Sequence, residues 1–299
     1  MKLGLVLPSS GSEASPEALV AAAEGAERIG LASVWTFERL MRPVGAATSI
    51  EGYDNPLPDS YGRVFDPVET LAYVAARTST ITLGTSVLDS VLHNPLVLAR
   101  RLATLDQLSG GRLLAGLGVG WMAAEYEATG VPTAGRGARF GEHVEAMRAV
   151  WGPDPVEFTG KLYRIAKSLT GPKPVRPGGP ALLAGAMAPA AIARAARLGM
   201  GLNSIMMTWE MLADAVSTFR AAAEQAGHEP DALPIVVRVN GAVTSAPTEG
   251  GEREPLTGSV DQVLQDLERV RTLGIDHVFW PQTAPLGEQL SVMTDLIAG

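Results

Sequence analysis

Short apolar runs alternate along the chain with stretches in which hydrophobic residues recur every three or four positions. Lys2–Leu7, Ala32–Phe37, Ile81–Leu88, Arg112–Val119, Ala181–Gly185, Gly201–Ile205, Leu233–Asn240 and His277–Trp280 read as strands. Pro16–Ile29, Asp66–Thr78, Pro95–Leu108, Ala123–Trp151, Pro189–Leu198, Trp209–Ala226, Ser259–Leu273 and Pro285–Ile297 carry the helical period. Such alternation implies parallel strands joined by right-handed crossover helices. Eight strand–helix pairs predict a closed (β/α)8 TIM barrel. An open doubly wound sheet would alternate in the same way, so periodicity alone does not decide closure. An internal echo supports repetition: Ala22–Trp35 and Asp266–Trp280 each read as an amphipathic helix, a glycine and a strand ending in Trp.

Three connections are long: Glu38–Phe65 after the second strand, Gly152–Gly179 before the fifth and Thr244–Thr257 after the seventh. Long loops in a compact barrel are usually functional, and the first and third leave strand C-termini, where barrel active sites lie. The second enters a strand, so it belongs to the opposite face. Its Lys161, Arg164, Lys167, Lys173 and Arg176 read as a solvated hairpin rather than an anion site.

Side chains alternate faces along a strand. In the fourth strand Leu113, Ala115, Leu117 and Val119 suit the helices, which turns Leu114, Gly116, Gly118 and Gly120 inward. In the third, Ile81, Leu83 and Val87 fall on one face and Thr82, Gly84 and Ser86 on the other, while Gly4 is the inward glycine of the first. Barrel interiors are normally packed with branched side chains, so inward glycines leave room either for strand curvature or for a ligand the size of a flavin ring. "GLGVG" lacks the second-strand acid of a dinucleotide fingerprint, and no Walker sequence is present.

Composition narrows the classes. The 299 residues are 46% hydrophobic and 19% charged, ample for a single barrel domain over residues 1–299. With no cysteine there is no disulfide and no thiolate chemistry, which fits a cytoplasmic protein. The net charge of −8 argues against nucleic acid or an anionic membrane as partner. Met1-Lys2 runs directly into a strand and no apolar run reaches the ~20 residues that span a bilayer, so neither a signal peptide nor a membrane segment is expected. The first strand lacks a His-x-His and no strand end offers a ligand cluster, so no metal site is expected.

Candidate chemistry gathers at strand exits. Gly185, Ala186 and Met187 precede Pro189 at the first turn of a helix, where free amides attract phosphate. His93 follows the third strand and is a candidate proton donor, although the neighbouring Asn94 caps the next helix. Glu38, ending the second strand, is a second candidate, alternatively paired with Arg39 or Arg42. Asp89 is a weaker one, and Glu125 reads as a structural partner of Arg136 or Arg139. Trp121 either walls the pocket or packs in the core, and Tyr53, Tyr61 and Arg63 are placed to meet a substrate. His143 and His228 read as helix surface, and His277 starts the eighth strand at the opposite face.

The stretch from Ile81 to Trp151, with "TSVL", "LSGGR" and "GLGVGW", resembles the luciferase-like flavin and deazaflavin oxidoreductases, and most closely their coenzyme F420-dependent branch. The resemblance implies a TIM barrel with the ring over the end of the third strand and a non-prolyl cis peptide between Ser86 and Val87. It also implies that Gly118 and Gly120 line the ring pocket and that Gly185, Ala186 and Met187 form the phosphate turn. Deazaflavin relatives commonly carry Asp-His after the second strand; Glu38 and Arg39 stand there instead, so a histidine mechanism does not carry over. The implied function is hydride transfer between F420 and a small-molecule substrate, in a homodimer. Alternatives are an FMN-dependent monooxygenase and a non-catalytic flavin-binding relative.

Overall fold

The computed structural model describes residues 1–248, 253–275 and 277–299. Eight parallel strands close into a barrel: β1 (Lys2–Val6), β2 (Ser33–Thr36), β3 (Thr82–Thr85), β4 (Leu113–Leu117), β5 (Ala181–Gly185), β6 (Gly201–Ile205), β7 (Ile235–Arg238) and β8 (His277–Trp280). Neighbours in space follow chain order, and β8 pairs with β1 through Lys2 opposite His277. The helices are α1 (Pro16–Arg28), α2 (Pro67–Ala75), α3 (Pro95–Leu108), α4 (Ala123–Thr129), α5 (Arg136–Trp151), α6 (Pro189–Arg197), α7 (Trp209–Gln225), α8 (Val260–Thr272) and α9 (Leu286–Ala298). The TIM-barrel expectation holds. Among the described residues no helix is long and apolar enough to cross a membrane.

Local chemistry sets the helix starts. Ser15, Asp66, Asn94 and Thr208 each accept a first-turn amide, and Ser259 with Gln262 forms a reciprocal capping box. Proline opens α1, α2, α3 and α6, where its missing N–H costs nothing.

One helix predicted over Ala123–Trp151 is two. The chain turns at Gly130, whose φ of 68° a side chain would resist, and Pro132 follows. The segment before β5 does form a hairpin, Val156–Thr159 against Arg164–Ser168. The segment after β2 folds over the neighbouring mouth loops: Ile50 N–H donates to the Trp121 carbonyl at 2.8 Å, and Ser49 bridges to Met122. Of the predicted loop Thr244–Thr257, residues 249–252 lie outside the described residues.

Two layers of core flank the strands. The outer one packs strands against helices, and the inner one joins Trp35, Leu183, Val236 and Phe279 inside the barrel, with Val6 and Leu114 against it. Here the inward glycines need a correction. Gly4 and Gly84 make room for protein, not ligand: a Cβ on Gly84 would lie 2.3 Å from the Trp35 ring, and one on Gly4 2.9 Å from its Nε1. Trp35 stacks on Phe279 at 4.2 Å and donates to Ser33 Oγ at 2.8 Å. Gly116 likewise yields to backbone, since its Cβ would meet the Thr85 carbonyl at 2.1 Å. This plug fills the middle of the barrel beneath its C-terminal mouth.

Candidate active site

The mouth holds a cavity of about 620 Å³. One wall is the exit of β3. The peptide between Ser86 and Val87 is cis, as the resemblance implies, and the strand ends at Thr85 rather than at the predicted Leu88. Beyond the bend, Leu88 rejoins β4: its amide donates to the Gly116 carbonyl at 2.9 Å and its carbonyl accepts from Gly118 at 2.6 Å. Both Ser86 and Val87 consequently line the cavity, which corrects the assignment of Val87 to the outer face. The Val87 side chain occupies the space that Gly118 and Gly185 leave, where Cβ atoms would come within 2.6 and 2.9 Å of it.

Gly118, Gly120 and Trp121 continue that wall, with Phe37 and Tyr61 beside them. Trp121 and Tyr61 rings flank the Arg39 guanidinium at 5.4 and 5.9 Å. Tyr53 is exposed and Arg63 lies over Phe65, so neither is brought to the cavity. At the far end Gly185, Ala186, Met187 and Ala188 lead into α6, whose first turn has no side-chain cap, and Arg136 and Arg194 line the same end.

The polar residues of the wall form a charged cluster. Glu38 is buried: Oε1 lies 2.8 Å from Nε2 of His93, and Oε2 accepts the Asp89 amide at 2.7 Å. His93 therefore stands behind Glu38 and is not among the residues that line the cavity. Burial works against its charge, but the hydrogen bond and charge of Glu38 prevail and hold its pKa above the usual histidine value. Arg39 donates to Glu125 at 2.6 Å, and Glu125 also accepts the Leu40 amide at 2.8 Å. Glu125 thus pairs with Arg39, not with Arg136 or Arg139 as expected. Burial, opposed by Arg39, pushes the Glu125 carboxyl up. Asp89, only 5% exposed, lines the cavity; its buried Oδ2 lies 3.7 Å from Nη1 of Arg39 and accepts no hydrogen bond. Burial, with Glu125 and Glu38 nearby and Arg39 opposing, raises its carboxyl to about 7.

Sequence reasoning overlooked Asn203, Arg238, Arg136 and Arg194. The first two were within reach of strand alternation, since Gly201, Asn203 and Ile205 share a face of β6 and Val236 and Arg238 share one of β7. His143 was misread as surface: it is fully buried, and neither ring nitrogen has a partner. His277 sits at the opposite end of the barrel as expected, 2.7 Å from Ser33 Oγ.

The residues present fit a ring cofactor that carries a phosphate. The wall of Ser86, Val87, Gly118, Gly120 and Trp121 accepts a flat ring, the open amides of α6 with Arg194 and the Glu51-paired Arg136 accept an anion, and Asn203 Nδ2 and Arg238 Nε are buried donors without hydrogen-bond partners. A cavity at the C-terminal mouth of a parallel barrel lies where barrel enzymes bind their ligands. The sequence matches the luciferase-like monooxygenase family over residues 1–250, and the chain belongs to that family. It is 39% identical over 189 residues to an uncharacterized protein of Mycobacterium tuberculosis, covering 62% of this chain and 66% of that one. It is 33% identical over 181 residues to the F420-dependent glucose-6-phosphate dehydrogenase of Kineococcus radiotolerans, covering 59% and 49%. The chain thus spans just under two thirds of the first relative and about half of the second. A monooxygenase from Streptomyces bottropensis superposes with a TM-score of 0.81 at 26% identity, over 100% of this chain and 99% of that one. Members of the family are oxidoreductases or monooxygenases, with F420-dependent and FMN-dependent enzymes among them.

Proposed function

We propose that the chain is a coenzyme F420-dependent oxidoreductase acting on a small organic substrate. When bound, the deazaflavin supplies or accepts a hydride; the protein supplies the seat. Ser86, Val87, Gly118, Gly120 and Trp121 would hold the ring, and the amides of Gly185, Ala186 and Met187 would hold the phosphate with Arg136 and Arg194. Both oxygens of Glu38 are already engaged. We read Glu38, in the wall, and His93, behind it, as a positioning pair rather than as the proton donors that their place in the sequence suggests.

The single observation that carries this reading is the cavity itself, walled by Ser86 and Val87 at the β3 exit and by Gly118 and Gly120 at the β4 exit, with Arg194 at α6. The choice of F420 is supported by the "TSVL" and "GLGVGW" resemblance and by the 33% identity to an F420-dependent dehydrogenase. An FMN-dependent monooxygenase is the second reading, favoured by the full-length likeness to the Streptomyces enzyme. Thermal unfolding with each cofactor separates them: a ligand at 100 times its Kd adds ~2.7 kcal/mol to the stability of the protein it binds. Stabilisation by F420 alone supports the first reading, by FMN alone the second. No shift with either overturns both. Binding without turnover of any acceptor would indicate the non-catalytic relative. A homodimer is the assembly proposed, tested by sedimentation.

A further inference from the structure

The cavity is lined by more cations than the acids around it use. Arg39 donates to Glu125 at 2.6 Å, and Arg136 to Glu51 at 2.6 Å. Glu38 has both oxygens engaged, and Asp89 has Arg39 at 3.7 Å. Among the described residues this leaves two cavity arginines, Arg194 and Arg238, with no acidic partner. They stand apart. Arg194 comes from α6, and its Nη1 lies 2.5 Å from where a Cβ on Gly137 would stand, so it reaches the start of α5. Arg238 ends β7. Val236, two residues earlier on the same strand face, belongs to the plug, and Arg238 pairs in register with Phe279 of that plug. Arg238 is thus the first side chain above the plug on its strand, at the floor of the mouth. It is half-buried with its Nε sealed and unpartnered, so the fork of its two Nη nitrogens is what the cavity receives. A guanidinium partly removed from water with no acid beside it is unfavourable by itself, and an oxyanion against the fork would offset that cost.

We propose that Arg238 anchors an anionic group of the substrate, so that the substrate class is a small organic oxyanion: a carboxylate, a sulfonate or a phosphate ester. The proposal rests on the reading that a ring cofactor leans on the β3–β4 wall, and it holds for F420 and FMN alike. Topology supplies the direction. β3 and β7 are four places apart in a ring of eight, so their exits face each other across the mouth. A ring seated on Ser86, Val87, Gly118 and Gly120 turns one face to that wall and the other towards β7. The molecule that reacts with it lies on the open face, between the ring and Arg238. The cofactor phosphate is met by Arg194 and the amides of α6, which leaves Arg238 for a second anion. Its planar fork gives two parallel N–H···O contacts to such a group and fixes that end of the molecule at the floor. Phe37, Tyr61, Trp121 and Ile205 line the same cavity, so the rest of the substrate is an uncharged body.

Two measurements test the proposal. The first needs neither cofactor nor ligand. An arginine that held the fold together would lower the unfolding midpoint when replaced, whereas an unpaired charge should leave it unchanged or raise it in Arg238→Met. A clear loss of stability overturns the assignment. The second titrates butyrate, butanesulfonate, butyl phosphate and the uncharged butyramide into protein loaded with whichever ring cofactor it binds, followed by NMR. At least one of the anions should bind and butyramide should not. Arg238→Met should weaken that anion by roughly 10–100-fold, Arg238→Lys by less, and Arg194→Ala hardly at all. The anion that binds most tightly identifies the group. No anion bound by the loaded protein, butyramide bound as well as the anions, or equal affinities in the wild type and Arg238→Met would each overturn the proposal. If neither cofactor binds, the cofactor reading fails instead. The same titration of Arg194→Ala protein without cofactor, with and without Arg238→Met, then decides separately whether Arg238 holds an anion.

Discussion

Glu38 and His93 are joined by a 2.8 Å contact between Oε1 and Nε2, while the other oxygen of the same carboxylate holds the Asp89 amide. One buried side chain thus ties the end of β2 to the exit of β3, which is how two distant stretches of sequence come to share a wall. Glu38→Ala leaves an imidazole and an amide without a partner. Because His93 is partly exposed, the expected loss is ~2–4 kcal/mol, somewhat below that for a fully buried pair. Urea unfolding measures it; an unchanged midpoint refutes the structural importance of the contact. The pH dependence follows from the raised pKa of His93. The contribution of the pair is complete below the ordinary histidine pKa and disappears as pH rises through the higher folded value. His93→Gln should remove that part of the alkaline decline.

Val87 depends on two absent side chains. With Cβ distances of 2.6 Å from Gly118 and 2.9 Å from Gly185, alanine at either glycine must displace it. Gly118→Ala should destabilise by ~1–3 kcal/mol through overpacking and weaken cofactor binding. Adding Val87→Ala should recover most of the stability, because the clash is then gone. Additive effects of the two substitutions in thermal unfolding would show that the contact does not matter.

The barrel was legible because its signals are local. Apolar runs, proline-led helices and caps such as Asn94 each act within a few residues, and β5, β6 and β8 have the bounds read from sequence. The glycines were legible as missing volume, but not in what fills it. Gly84 and Gly118 have the same signature in sequence; one faces Trp35 and the other Val87, and only pairing across strands separates them. Charge partners were the least legible. Glu125 finds Arg39, 86 residues away; His143, by contrast, was readable, since it shares the buried helix face of Phe140, Val144, Met147 and Val150. Asp89 joins the Glu125–Arg39 cluster through Arg39 and the Glu38 contact to its amide, partners 50 and more residues away in the chain.

Arg194 and Arg136 reach the α6 end of the cavity from two helices. Burial, then Arg197 and Arg136, lower the Arg194 pKa; Arg136 is paired with Glu51 at 2.6 Å, which leaves Arg194 to supply most of the positive potential at this end of a chain whose net charge is −8. Arg194→Ala should weaken a phosphate-bearing ring cofactor by ~10–100-fold, the worth of one hydrogen bond to a charged group. The phosphate-free form of the same ring should lose little. Raising the salt concentration should weaken wild-type binding more than that of the variant. Equal losses for both ligands would place the phosphate elsewhere.

His143 is held inside the protein by Tyr163, whose ring lies 5.7 Å away at 81°, with neither imidazole nitrogen hydrogen-bonded. Burial, with His93 adding repulsion, pushes its pKa down to about 3. The folded value lies below the unfolded one, so the associated stability is intact above about 6.5 and is lost as pH falls towards about 3. Within that window the unfolded chain gains one more proton than the native one, a slope of roughly 1.4 kcal/mol per pH unit. His143→Phe removes both the proton and the unpaired nitrogens. It should raise stability near neutral pH by ~1–2 kcal/mol and flatten the acid limb, leaving the contribution of His277, which is also lowered to about 3 mainly by burial. Urea midpoints of the two proteins across this range check the sign. A variant that is less stable at neutral pH, with an unchanged acid slope, would mean that His143 is paired and titrates normally.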